Sequence, residues 1–172
     1  MILTLQPVGH VDPSVLGRLR AQLEPFGEVR IADPKPVPKA AFRRLSKQYR
    51  AAAFEGVCHA ADSDRVVAIT DVELCDPDLG MKRVFGHAEI TGGWAVVSLS
   101  MFGGDGEERL VERAAKTAVH EIGHTLGLGH HDGNPECVMY FSENLADTDR
   151  KGRDFCPRCA HTANLTLSRL ER

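Results

Sequence analysis

The first apolar run, Ile2 to Val8, reads as a strand, and apolar and polar positions alternate again from Glu28 to Ala32. Between them, Leu16, Leu19, Leu23 and Phe26 recur at helical spacing. Asp12-Pro13 supplies an N-cap and an N1 proline at the start of that helix, and Gly27 closes it. Pro34, Pro36 and Pro38 forbid regular structure and predict an extended connection. From about Lys39 to Ala61, Phe42, Leu45, Tyr49 and Ala52 return to helical spacing and predict a second helix. The β-branched run from Arg65 to Thr70 predicts a buried strand. Two more strands are expected near Arg83 to Ile90 and Trp94 to Phe102, joined by Thr91-Gly92-Gly93 as a hairpin. Gly103, Gly104, Asp105 and Gly106 break the pattern, with Asp105 placed to cap a third helix over about 106–128. On that helix Val111, Ala115, Ile122 and Leu126 share one side, while Arg113, Thr117, His120 and His124 lie nearly opposite. After His131 turn formers dominate until a helix from about Cys159. The order βαβαβ, hairpin, helix argues for a mixed sheet with helices packed on it.

The third helix carries His120-Glu121-Ile122-Gly123-His124 and continues through Gly127 to His130, which spells HExxHxxGxxH. Residues four apart share a helix face, so His120 and His124 can offer two imidazoles to one ion. Glu121 lies about 100° round from His120, badly placed as a ligand and well placed to touch a water on the metal. A glycine at a helix C-terminus can take φ > 0, so Gly127 turns the chain and brings His130 back. Three neutral imidazoles with a fourth position open is the donor set of catalytic zinc. Zinc then acidifies its water and polarises a carbonyl, and Glu121 acts as general base. HExxH alone is short enough to arise by chance; Gly127 and His130, each with its own mechanical reason, make the motif specific.

Composition changes this picture little. The chain has 172 residues, 42% hydrophobic and 26% charged, the profile of an ordinary globular domain. A net charge of -3 argues against nucleic acid or an anionic membrane as partner, and the cluster Arg43, Arg44, Lys47 and Arg50 reads as a solvated face. The sequence opens with neither a charged leader nor a long apolar run, so a cytoplasmic monomer without a pro-segment is expected. Five cysteines, an odd number, favour thiols or metal ligands over bridges. Cys156-Pro157-Arg158-Cys159 is a CxxC in a polar, irregular context, unlike a thioredoxin-type redox pair. Cys137 and His131 are the nearest partners for a closed, structural Cys3His zinc site, with His161 in reserve. Cys58 and Cys75 read as small buried apolar residues. His10, His59 and His87 have no ligand-like spacing.

HExxHxxGxxH followed by Met139 resembles the metzincin clan of zinc metallopeptidases, and the cysteine spacing is similar to that of the archaemetzincin family. Gln48-Tyr49, Thr70-Asp71-Val72-Glu73-Leu74, Phe85-Gly86-His87-Ala88 and Ser98-Leu99 extend the likeness over most of the chain. The chain departs from the family pattern at His131, which stands where a cysteine is usual, and at Cys137, which comes one residue late. The resemblance implies a metzincin-like α/β (α+β) fold. It has a mixed, mostly parallel twisted sheet with an edge hairpin, two packing helices including the active-site helix, and a small zinc-stapled C-terminal subdomain. One catalytic domain would span 1–172, divided into 1–130 and 131–172. The resemblance further implies two zinc ions per chain. His120, His124 and His130 would hold the catalytic ion, with Glu121 as base and Met139 in a turn beneath the histidines; His131, Cys137, Cys156 and Cys159 would hold the structural ion. Where other clan members place a tyrosine ligand stands Phe141, so no such role is expected here. The substrate would be an extended peptide paired with the strand around Phe85 to Ile90. A peptide-binding module with a weakly loaded site, or a zinc hydrolase of a non-peptide amide, are the other readings open at this level.

Overall fold

A computed structural model describes residues 1–170. The first two stretches become β1 (Ile2–Val8) and β2 (Glu28–Ile31), with α1 (Pro13–Leu23) between them. Asp12 caps α1 as expected, its carboxylate accepting from the Ser14 backbone N–H at 2.8 Å. Leu16, Leu19 and Leu23 turn inward against Leu3 and Leu5 of β1 in one apolar cluster. Each fully buried leucine contributes about 1.5–3 kcal/mol, which is what fixes α1 on the sheet.

The stretch 39–61 is not the helix its spacing predicts. It forms two short strands, β3 (Phe42–Arg43) and β4 (Gln48–Arg50), set between 3-10 turns at Lys39–Ala41 and Ala51–Val57. Lys47 takes φ 56° at the turn between the strands, a value no α-helix accommodates. Leu45, counted in the helical stripe, is fully exposed, and Phe42 packs across the hairpin on Tyr49 at 5.1 Å between ring centroids. Pairing partners remote in sequence decide the outcome. β4 runs parallel to β6 (Leu74–Asp76), and Gln48 donates to Glu73 at 2.6 Å and to the Lys82 carbonyl at 2.7 Å.

The buried strand expected at 65–70 is β5 (Arg65–Thr70). The strand expected at 83–90 is two strands that part at Phe85. β7 (Met81–Val84) closes a four-stranded sheet of order β3-β4-β6-β7, and β8 (Gly86–Ala88) joins the main sheet beside β9 (Trp94–Ser98). The main sheet has the order β2-β1-β5-β9-β8, with every neighbouring pair parallel except the β8–β9 hairpin at the edge.

Helix α2 (Glu107–Thr125) packs on the face of β9 that presents Ala95 and Val97. Its other side is buried as well: Arg113 and Lys116 are bound by α3 (Leu145–Arg150) through Asp149 and the Thr148 carbonyl, while Thr117 and His120 line the cleft beside it. Asp105 does not cap α2, whose N-cap is Gly106 at φ 91°; it pairs instead with Arg113 at 2.7 Å. Arg113 also binds Asp149 through two bonds of 2.7 and 2.8 Å, the forked geometry that carries most of an arginine–carboxylate interaction, and so ties α3 to α2. The last helix, α4 (Pro157–Leu170), begins two residues before its expected start. None of the described helices is long and apolar enough to cross a membrane.

Candidate active site

Helix α2 ends in a Schellman motif. The N–H of Leu128 reaches the Gly123 carbonyl and that of Gly127 the His124 carbonyl, both at 2.9 Å, with Gly127 at φ +89°. The turn brings His130 back as the sequence predicts. Ring centroids of His130 lie 5.2 Å from His120 and 4.9 Å from His124. One nitrogen from each of the three rings lies within 4.8 Å of the others. A β-branched side chain at Gly127 would have to hold φ > 0, at a cost of at least about 1 kcal/mol. Gly127→Val is therefore expected to weaken metal binding by the three histidines more than by the cysteine group below. Metal titration of both groups checks this, and equal loss at both would mean general unfolding instead.

Two backbone carbonyls orient the rings. His120 Nδ1 donates to Val138 O and His124 Nδ1 to Leu128 O, each at 2.8 Å. Burial holds His120 well below the ordinary histidine value and brings His124 down to about 4; His130 is lowered by the same cause. Both α2 rings are therefore neutral near pH 7 with hydrogen on Nδ1. Their bare Nε2 atoms face each other at 3.1 Å. Two lone pairs at that distance repel unless a cation sits between them, so the donor set fits a metal ion.

Met139 lies beneath this group for a steric reason: Gly123 has no side chain, and a Cβ there would collide with the Met139 sulfur. Gly86 plays the matching part above, since a Cβ on it would stand 2.6 Å from Glu121 Oε1. Strand β8 thereby passes directly over the Glu121 carboxyl. Burial pushes that carboxyl up to about 8, and the nearby Lys151 ammonium opposes the shift. Phe141 packs against the His130 ring at 4.9 Å, while Tyr140 lies under the Arg150 guanidinium at 5.9 Å. The cleft over the three histidines encloses about 590 Å3 and is bounded by β7, β8 and residues 141–151. His87, to which spacing gives no role, lines it from β8 and lies 2.8 Å from Asp76.

His131, Cys137, Cys156 and Cys159 form the second group, their donor atoms within 4.8 Å of one another. Sulfurs of Cys156 and Cys159 stand 3.4 and 3.7 Å from His131 Nδ1, and the Cys156 N–H points at Cys137 Sγ at 3.4 Å. Cys156 immediately precedes α4. The backbone N–H of Cys159 in the first turn of that helix is the main cause bringing the Cys156 thiol down to about 6, toward the thiolate that binds metal. Burial raises Cys159. His161 is not in the group, and Cys58 and Cys75 are buried singly, as their isolation in sequence implies.

Several residues of the site carry no signal in the sequence. The orienting carbonyls of Val138 and Leu128 are backbone atoms, and Lys151 lies in a turn-rich stretch without a motif. Gly86 could have been found from the likeness over Phe85-Gly86-His87-Ala88, although not the close approach that requires a glycine.

The model of peptidase family M54 matches residues 18–165. An archaemetzincin of Methanopyrus kandleri is 35% identical over 161 residues, spanning 91% of this chain and 90% of its own. One of Halobacterium salinarum is 36% identical over 94% of this chain and 99% of its own. Among solved structures, the M. kandleri archaemetzincin superposes with a TM-score of 0.85 at 34% identity, covering 100% of this chain and 96% of that one. The Archaeoglobus fulgidus archaemetzincin complexed with malonate does so with a TM-score of 0.83 at 32% identity, covering 94% and 99%. With the family model matched over most of its length and archaemetzincins similar to it end to end, this chain belongs to peptidase family M54, the archaemetzincins, and is a zinc metallopeptidase.

Proposed function

We propose that the chain hydrolyses peptide bonds in the cleft above α2, with His120, His124 and His130 holding the catalytic zinc and Glu121 as general base. The observation that carries the reading is the pair of Nε2 lone pairs facing each other at 3.1 Å, locked there by the two Nδ1–carbonyl bonds. Zinc, when bound, supplies a Lewis acid that polarises the scissile carbonyl and acidifies water. Glu121 takes a proton from the attacking water and returns it to the leaving amine. Burial under Gly86 keeps bulk water from competing for that carboxylate, and the Lys151 ammonium favours its charged form.

Strand β8 positions the substrate. Phe85 O accepts from Ser98 N at 2.8 Å and Glu89 N donates to Trp94 O at 3.2 Å, so Phe85, His87 and Glu89 turn their main-chain groups toward β9. By the alternation of an antiparallel ladder, those of Gly86 and Ala88 face outward at the edge, free to pair with an extended peptide. We further assign His131, Cys137, Cys156 and Cys159 a second, structural zinc that staples the C-terminal part of the chain, making two ions per chain; the grouping of three sulfurs and an imidazole, a full tetrahedral donor set, supports it.

The reading is tested on protein purified without added zinc, by metal analysis and by digestion of a peptide library. Two zinc equivalents with cleavage are expected. One equivalent, with no cleavage after zinc loading, would leave a peptide-binding module in place of the enzyme.

A further inference from the structure

Lys151 enters hydrolysis as described only through its field on the Glu121 carboxyl, and nothing in that reading contacts its ammonium. It follows α3, is only 4% exposed, and lines the cleft that also receives Glu121. Its Nζ has one acceptor, the Tyr140 carbonyl at 3.5 Å. Its other polar neighbour is His120 Nδ1, also at 3.5 Å, whose hydrogen already goes to Val138 O and which has no lone pair to give. Among the described residues no carboxylate forms an ion pair with Lys151. The two buried cations of α2 are different. Arg113 holds Asp105 and Asp149, and Lys116 holds Glu112 at 3.1 Å together with the carbonyls of Thr148 and Asp149. Buried charges are retained where they are paired; Glu121 acts on this ammonium without forming an ion pair with it, so an ammonium whose one hydrogen-bond acceptor is a distant carbonyl points to an anion that arrives from outside.

The cleft defines where that anion comes from. Thr117 and Thr148 line it together with Lys151, and Met101, Phe85 and Leu145 contribute apolar surface. The cleft also carries the carboxylates of Asp76, Asp78, Glu121 and Glu143, but its one buried cation is Lys151, and these apolar side chains with an ammonium suit a side chain with an aliphatic stem and a carboxylate tip. Glu121 returns its proton to the leaving amine, so the residue carrying that amine sits on the Glu121 side of the scissile bond. Lys151 is near enough to Glu121 to oppose the shift of its carboxyl.

We propose that Lys151 forms the end of a side-chain pocket selecting a substrate with Asp or Glu immediately after the scissile bond. The inference rests on the peptidase reading above and names the substrate class for it. Peptides blocked at both ends and differing only at that residue (Glu, Gln, Leu or Lys) test it on the zinc-loaded enzyme. Gln can also accept from the ammonium, but the charge-assisted bond of a carboxylate is roughly twice as strong, so kcat/KM for Glu should exceed that for Gln by about tenfold. In Lys151→Met the ratio should fall to about one; in Lys151→Arg, which keeps the cation, it should persist; and Lys151→Glu should favour the Lys peptide. A parent enzyme that treats Glu and Gln alike overturns the proposal whatever the variants do. So does a Lys151→Met variant that slows both peptides equally with the ratio intact, since Lys151 would then serve only the fold or the chemistry. A preference that demands a free C-terminal carboxylate overturns the assignment to a side chain. Binding of the same peptides to zinc-loaded Glu121→Ala, measured by calorimetry, separates the two readings. Cleavage without discrimination removes the pocket and keeps the peptidase, whereas tight binding of the Glu peptide without cleavage by the parent removes the peptidase and keeps the pocket.

Discussion

Glu121→Ala is expected to lower peptide turnover by roughly 10²-fold or more, the usual scale of general-base catalysis, and to leave the zinc content unchanged. The two halves of this expectation come from different atoms. The three ring nitrogens that gather around one point all belong to His120, His124 and His130, so removing the carboxylate takes no donor from the ion. The carboxylate itself lies under the β8 backbone at Gly86, the strand proposed to hold the peptide. Alanine also empties space beneath Gly86, and Glu121→Gln, which keeps the volume, separates that packing change from the lost base. Both variants should be similarly slow. Turnover of a cleaved library peptide and metal analysis of the same preparations decide it; a variant as fast as the parent would remove Glu121 from the mechanism.

Removing Cys156 or Cys159 should release one zinc and lower thermal stability substantially. Residues 131–156 contribute few large apolar side chains to the core beyond Val138 and Met139, and binding free energy at structural zinc sites, about 10–16 kcal/mol in small zinc domains, is folding free energy. His131→Cys should be tolerated, keeping two zincs and similar or higher stability, because thiolate is at least as good a ligand in a closed tetrahedral site. His131→Ala should loosen that ion while His120, His124 and His130 retain theirs. If instead it empties the catalytic site and leaves the cysteine group filled, then His131, and not His130, completes the catalytic set. Zinc stoichiometry and melting temperature of the four variants are the measurements.

What the sequence disclosed about the site was local. His120 and His124 are one helical turn apart, Gly127 sits where only a left-handed residue ends the helix cleanly, and CxxC presents two sulfurs from a single turn. Each of these follows from spacing within a few residues, and the grouping in space agrees with them. The placement of Cys137 and His131 needed the chain to fold back, and their borderline-soft chemistry anticipated it. Long-range partners stayed invisible. Phe42, Leu45, Tyr49 and Ala52 mimic a helix because a short apolar spacing is ambiguous, and the pairing of β4 with β6, which decides against it, depends on residues some twenty-five positions away. Lys151 and the Val138 carbonyl act through neighbours that only the packed tertiary structure supplies. Strands β1, β2, β5 and β9 of the main sheet were legible because each is a separate run, whereas the split at Phe85 was not, because one continuous run serves two sheets.

The outward-facing edge of β8 has a consequence for how the chain avoids its own kind. An unpaired strand edge is a template for association with other sheets, and proteins blunt such edges by keeping them short or by capping their ends. β8 is three residues long and offers outward groups only at Gly86 and Ala88. Beyond it the backbone is drawn in, with Thr91 donating to the His124 carbonyl at 3.0 Å and the Ile90 carbonyl taken by the Thr91 hydroxyl. The edge can hold a short extended segment and is too brief to seed a growing stack of strands.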